Sequence, residues 1–235
     1  MAQPLSSRED LKTDLFQSWV KNGLNWIGNH RQTFFSVVGT IFVVGILAAF
    51  IISNFINLRK QAWERYALGH NWSMSTDPAK SLSYFDDIIQ NFSHTPAAVY
   101  ALLSKGDVLY REGKFDESIA QYQQCLEKKP NKAIVPFVLE SLGAAQEQKG
   151  NFAAALSAYK QFLQDYSNHY LAPKVYESLG RSYELSLNPD AAKEIYEKII
   201  TLYPNTLWSE KAKVRYQIIS PQPFQTPLLS PKETK

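Results

Sequence analysis

Apolar residues are distributed along this chain in two ways. Across residues 34–56, FFSVVGTIFVVGILAAFIISNFI, 23 successive positions carry no formal charge, and only Ser36, Thr40, Ser53 and Asn54 have polar side chains. As a helix rising ~1.5 Å per residue this stretch reaches about 35 Å, enough to cross a ~30 Å hydrocarbon layer. It exceeds the roughly 7–15 residue apolar core of a cleaved signal, and the preceding tail is long for a signal's charged region, so an uncleaved anchor is expected. Farther along, apolar residues recur every three or four positions in short runs broken by Gly, Asn or Pro, which predicts a series of amphipathic helices. Between Ile56 and Gly69 the chain reads INLRKQAWERYALG, with no proline and no internal glycine. The anchor is therefore predicted to continue into the first of those helices, placing it about 20 Å above the bilayer core.

The helices repeat. Offsetting the chain by 37 residues aligns Gly69, Gly106, Gly143 and Gly180. The same offset aligns Phe85, Tyr122, Tyr159 and Tyr196; Ser81, Ser118, Ala155 and Ala192; and Ile89, Leu126, Leu163 and Ile200. Each column keeps its chemical type, the signature of stacked units. A unit reads as two helices, one around the glycine and one around the aromatic. Polar turns such as Glu112-Gly113-Lys114, Lys149-Gly150-Asn151 and Leu187-Asn188-Pro189 join them. The glycine and Ser/Ala columns are expected on facing helices that approach closely, with the aromatic filling the wedge against the next unit. Pro130 and Pro204 follow second helices, which a residue without an N–H cannot prolong. Residues 208–219 form one more helix with no pair, a closing cap.

Leu179, Gly180, Tyr183, Ala192, Tyr196, Ile199 and Pro204 follow the Leu-Gly, Tyr, small, aromatic, apolar and Pro pattern of the tetratricopeptide repeat, and residues 63–219 resemble that family. The period of 37 exceeds the common one of about 34. The extra residues fall in joints such as YSNHYLAPKV and YPNTLWSEKA, which resembles the bacterial envelope members of the superfamily. The first unit departs from the pattern, with Ser93 where a proline is usual. The expected fold is all-α: one transmembrane helix, an α-solenoid of four tetratricopeptide-like helix pairs and a C-terminal capping helix. In domain terms, 1–33 is a tail, 34–56 the span, 57–219 the repeats and 220–235 a disordered Pro-rich segment with four prolines. The tail carries Leu11, Leu15, Trp19, Trp26 and Ile27 at roughly helical spacing, with tryptophans suited to a membrane interface; an unstructured tail is the alternative.

Charge and candidate chemistry narrow the function. Between residues 61 and 219 there are 17 Lys/Arg against 18 Asp/Glu. A near-neutral repeat region lacks the basic footprint of nucleic-acid binding. Cys125 is the only cysteine, which excludes an internal disulfide and multi-cysteine zinc sites; it falls in the inward column with Ile88, Phe162 and Ile199 and reads as a buried, inert thiol. The four histidines lack the i, i+4 pairing of a helical metal site, and neither a phosphate loop nor a nucleophile elbow is present. No enzyme activity, cofactor, metal or small-molecule substrate is expected.

Helical solenoids curve, with the first helices of their units on the concave side. The resemblance carries groove positions onto Trp63, Tyr66 and His70 in the first unit and Tyr100, Leu103, Asp107 and Tyr110 in the second. Phe137, Glu140 and Ala144 follow in the third, then Lys174, Glu177, Arg181 and Glu184 in the fourth. One end of this protein-binding groove is aromatic and the other charged. The family's clamp for carboxylate tails needs Lys and Asn where this chain has Tyr66 and His70, so that mode is not expected. An anchor followed by such repeats is similar in layout to the ancillary Sec translocon subunit (YfgM-like) family, which implies a single-pass inner-membrane protein with periplasmic repeats beside the Sec channel. Positive charges flanking the span, Lys21 and Arg31 before it against Arg59, Lys60 and Arg65 after it, leave the orientation open, since Arg8 and Lys12 reverse the balance. Two functions fit: an adaptor binding exported polypeptides, translocon or envelope proteins, or a constitutive scaffold in envelope assembly or division.

Overall fold

A computed structural model describes residues 8–74 and 77–220. The tail from 221 and the side chains of Leu11 and Leu15 lie outside what it describes. The described residues form ten α-helices: α1 (Arg8–Asn29), α2 (Arg31–Ser73), α3 (Pro78–Asn91), α4 (Pro96–Arg111), α5 (Phe115–Glu127), α6 (Val135–Gln148), α7 (Phe152–Asp165), α8 (Ala172–Leu185), α9 (Pro189–Leu202) and α10 (Leu207–Ile219). The chain divides into two compact units, Met1–Asn57 and Leu58–Lys235. In the first, the segment whose weak amphipathy left helix and coil equally open is the helix α1. Its hydrogen-bond ladder runs through the join, with the His30 N–H donating to the Trp26 carbonyl at 2.9 Å and the Phe34 N–H to the His30 carbonyl at 2.9 Å. Helix α2 passes unbroken through the segment 56–69. By length and composition it is the one described helix apolar enough to cross a membrane, and no residue of 34–56 is buried.

The second unit is a solenoid of helix pairs: the end of α2 with α3, α4 with α5, α6 with α7, and α8 with α9, closed by α10. From α3 to α10 each helix packs on the next in sequence, and the end of α2 meets α3 where Gly69 lies against Phe85 and Ser81. Several first-turn prolines seat helix starts, Pro78, Pro96, Pro136, Pro173 and Pro189 among them, because the N–H they lack would have no intrahelical partner there. Asp77, Asn188 and Thr206 cap with their side chains, accepting from the backbone N–H of Lys80, Ala191 and Ser209.

The glycine column is explained by the aromatic column of the same unit. A Cβ built on Gly106 would lie 2.5 Å from Tyr122 Cε1, on Gly180 2.8 Å from Tyr196 Cε1, and on Gly69 2.9 Å from Phe85 Cε1; one on Gly143 would strike the Tyr159 ring likewise. The rings, buried to 0 or 1% exposure, therefore pack directly against bare backbone of the first helix rather than only filling the wedge toward the next unit. The Ser/Ala column sits beside this contact. Ser81 and Ser118 donate to the carbonyls of Gly69 and Gly106, each at 2.9 Å, and Ala155 and Ala192 are fully buried at the equivalent positions.

The turns inside units 2, 3 and 4 share one geometry. In the second, the Gly113 N–H donates to the Tyr110 carbonyl at 3.0 Å and the Lys114 N–H to the Leu109 carbonyl at 2.9 Å, a Schellman closure around a left-handed residue. Gly113 and Gly150 have φ of +73° and +81°. Leu187 occupies the same seat with φ +59° and is 89% exposed. A side chain there suffers the Cβ clash of left-handed backbone and gains no packing in return.

Two stability outcomes follow from these contacts. Gly143→Leu drives a side chain into the Tyr159 ring and should cost about 1–3 kcal/mol in chemical denaturation of the full chain in detergent. Leu187→Gly should raise stability by roughly 0.5–1 kcal/mol, the left-handed strain relieved less the entropy glycine adds to the unfolded chain.

Candidate functional site

Successive first helices α4, α6, α8 and α10 touch one another, whereas the successive second helices α5, α7 and α9 do not. The solenoid therefore curves with its first helices inside. The inner face begins at the C-terminal end of α2, where Trp63, Tyr66 and Tyr100 form one aromatic cluster with ring centroids 5.1 Å (Trp63–Tyr100), 5.5 Å (Trp63–Tyr66) and 6.0 Å (Tyr66–Tyr100) apart. The Tyr66 hydroxyl bonds Ser104 Oγ at 2.9 Å, and burial raises its pKa above that of a free tyrosine. All three rings remain half-exposed. Leu103 and Phe137 are half-exposed farther along, Phe137 lying 5.5 Å from the His169 ring and 6.2 Å from Tyr170. Tyr110 packs edge-on against Phe115 at 5.5 Å.

At the charged end of the expected groove, Glu140, Lys174, Glu177, Arg181 and Glu184 are engaged in ion pairs along the face. Lys174 bonds Glu140 at 2.8 Å, Arg181 Nε bonds Glu147 at 2.7 Å, Arg215 bonds Glu184 at 2.8 Å, and Lys211 lies 3.8 Å from Glu177. Each pair joins one first helix to the next, so the charges form a ladder across the inner face. Glu147, outside the expected set, is its most enclosed carboxylate at 4% side-chain exposure, and accepts a second bond from Ser182 Oγ at 2.7 Å.

Sequence reasoning also missed α10 as part of the face. It was expected only to close the apolar end, which it does through Ser209, Ala212, Trp208 and Tyr216. Its other side presents Leu207 and Val214, 68% and 56% exposed, to a cavity of about 570 Å³ shared with Glu177, Arg181 and Tyr196. The signal was present: adding 37 to Lys174, Glu177 and Arg181 gives Lys211, Val214 and Ile218, and adding 37 to Tyr110 gives Glu147.

A second cavity of about 270 Å³ lies at the middle of the face, between Asp107, Tyr110 and Arg111 of α4, Tyr122 of α5, Glu140, Ser141 and Ala144 of α6, and Lys174 of α8. Burial raises the Asp107 pKa, opposed in part by the hydrogen bond from Tyr122. Tyr122 is itself held far above the usual phenol range by burial and by the Asp107 carboxylate to which it donates at 2.7 Å. Burial pushes the Cys125 thiol up to about 11, and its sulfur faces the Val99 carbonyl at 3.5 Å. Among the described residues no group of three or more His, Cys, Asp or Glu is placed to hold a metal ion.

The tetratricopeptide-repeat model matches residues 75–133 and 141–205, more than half of the chain. The chain belongs to the tetratricopeptide-repeat family, whose fold typically serves protein–protein interaction rather than catalysis. Solved structures agree on the fold. A tetratricopeptide-repeat protein from Parabacteroides merdae superposes with a TM-score of 0.59 at 16% identity, over 68% of this chain and 60% of that one. MamA gives 0.54 at 18% identity over 64% and 81%, and a kinesin-light-chain-like repeat protein of Podosopora anserina 0.58 at 12% over 68% and 85%. No curated protein matches the chain significantly in sequence.

Removing Glu147 leaves Arg181 unpaired and Ser182 without its acceptor, so Glu147→Ala should cost roughly 1–3 kcal/mol. Glu177→Ala breaks a longer, more exposed pair and should cost under about 0.5 kcal/mol. Asp107 titrates in the opposite sense from a paired carboxylate. A raised folded-state pKa means that ionising it opposes folding, so stability from this group is full below the ordinary carboxylate pKa and is lost as pH rises through the raised value. Asp107→Asn should therefore raise the Tm at pH 7, and the advantage should vanish as pH falls into the carboxylate range; differential scanning fluorimetry across pH checks both.

Proposed function

We propose that this chain is a membrane-anchored adaptor whose inner face holds extended segments of other proteins. The observation that carries the reading is the chemistry of that face. Its aromatic side chains are half-exposed along α2, α4 and α6, and a second apolar recess opens at α10. The intervening carboxylates, Asp107 apart, are already neutralised by neighbouring Lys and Arg. A surface of that kind gains affinity by burying apolar side chains, with the ion pairs holding its shape. The composition of 34–56 supports an anchor. Trp63 follows Ile56 by seven residues, so chain length alone keeps the first aromatic within about 25 Å of the end of the apolar stretch. The resemblance in layout to the ancillary translocon subunit family supports an inner-membrane location with periplasmic repeats, at the translocon, assisting exported or envelope proteins.

The test is site-specific photo-cross-linking in cells. A cross-linker at Tyr100 should capture partner protein, and one at Gln161, exposed on the second helix α7, should not. Capture of many polypeptides in transit supports the adaptor, whereas one stoichiometric folded partner assigns the chain to a scaffold. Equal capture from both positions overturns the groove. The location is tested separately: the protein should stay in the membrane pellet after alkaline carbonate extraction, and a phosphatase fused after Lys235 should be active. Release by carbonate, or an inactive fusion, overturns the anchor or the periplasmic placement respectively.

A further inference from the structure

The four glutamates of the inner face named above each have a Lys or Arg nitrogen within 4.0 Å, and Asp107 has none among the described residues. Its recorded hydrogen bonds, from Tyr122 Oη at 2.7 Å and Ser141 Oγ at 3.5 Å, both fall on Oδ1. Oδ2 receives no donor from the described residues, yet it is not among the sealed, unpartnered polar atoms of the interior. Asp107 lines the 270 Å³ cavity at the middle of the face. The two cations that share this cavity bond other groups, Lys174 to Glu140 at 2.8 Å and Arg111 Nη2 to the Ser73 carbonyl at 3.0 Å, although the Arg111 charge still favours the Asp107 carboxylate from beyond ion-pair distance.

The repeat register shows what this position lacks. One unit farther along, the residue aligned with Ala144 is Arg181, whose guanidinium reaches back to the preceding first helix and bonds Glu147. At the step between α4 and α6 the register position of Glu147 is held by Tyr110 and that of Arg181 by the small side chain of Ala144, so no such pair forms there, and Asp107, a turn before Tyr110, lines the cavity beside both. A half-buried carboxylate, a cavity beside it and a methyl group in the register position of a cation leave room for a cation brought from outside. Resting on the adaptor reading, we propose that the cavity between α4 and α6 takes a Lys or Arg side chain of the bound segment, with Asp107 Oδ2 as its acceptor. Asp107 thereby fixes the register of a partner held otherwise by apolar contacts. Burial raises the Asp107 pKa, with Tyr122 and Arg111 opposing it only in part, which accords with this role, since a desolvated carboxylate gains from a cation placed beside it.

The experiment uses the full chain in detergent and a degenerate pool of acetylated, amidated eleven-residue peptides. Their central residue is fixed in turn as Lys, Arg, norleucine or Gln. Captured peptide is quantified by mass spectrometry. Wild type should retain Lys- and Arg-centred peptides about tenfold over norleucine and Gln, the size of one charge-assisted hydrogen bond. Asp107→Asn should lose the preference while still binding the pool. Ala144→Arg, which places a cation on the protein's own helix, should lose it too, and melting curves confirm that both variants are folded. Binding of the pool without preference, or a preference that survives in Asp107→Asn, overturns the cation site and leaves the groove standing. Absence of binding by any peptide overturns both.

Discussion

Each repeat depends on one contact, an aromatic ring laid on the bare backbone of a glycine sixteen residues earlier. These rings are the bulkiest fully buried side chains of the described residues, and the missing Cβ lets the two helices close on them. Phe85, Tyr122, Tyr159 and Tyr196 are buried to 1% exposure or less in this way. Since any side chain at Gly106, Gly143 or Gly180 would overlap the ring, helix spacing within each unit is fixed by sterics before any polar interaction is made. The serine hydroxyls on the Gly69 and Gly106 carbonyls complete the contact in two units, and alanines suffice in the others.

What is fixed within a unit is copied by stacking into a curved face. First helices meet one another and second helices do not, so the first helices can exchange side-chain bonds across successive units. At one end those bonds are aromatic contacts and the Tyr66–Ser104 hydrogen bond; at the other they are ion pairs from Lys174, Arg181, Lys211 and Arg215 to glutamates of the preceding first helix. The ladder consumes most of the charge of the face and leaves apolar and aromatic surface for a partner. That is the physical reason for reading the protein as an adaptor for extended chain rather than as a receptor for a strongly charged ligand. Asp107 is the exception, and it lines a cavity where Ala144 holds the register position of Arg181.

The repeat architecture was legible because its determinants are local. A glycine, a small residue and an aromatic return at one spacing, and the helices fall where those columns and the turn residues place them. Leu187 shows the limit of that logic: the turn forms through a non-glycine at φ +59°, because helices on either side hold it there. Side-chain pairing across units was not legible. The pairs Lys174–Glu140, Arg181–Glu147 and Lys211–Glu177 are separated by 34 residues, not by the 3 or 4 of a helix face, and they depend on a curvature that no single segment encodes. The role of α10 was hidden for another reason. Without a second helix it reads as an end cap, although its residues continue the groove columns by the same offset of 37. The continuity of α2 from Arg31 to Ser73 followed from the absence of any helix breaker in 56–69.

The central claim is that the first helices together form the binding face. Hydrogen–deuterium exchange on the full chain in detergent tests it directly, with an excess of reduced, carbamidomethylated and therefore unfolded α-lactalbumin as the bound polypeptide. The account predicts slowed exchange in Pro96–Arg111, Val135–Gln148, Ala172–Leu185 and Leu207–Ile219, with Phe115–Glu127, Phe152–Asp165 and Pro189–Leu202 unchanged. Protection of the second helices instead, or no protection at saturating polypeptide, would contradict it.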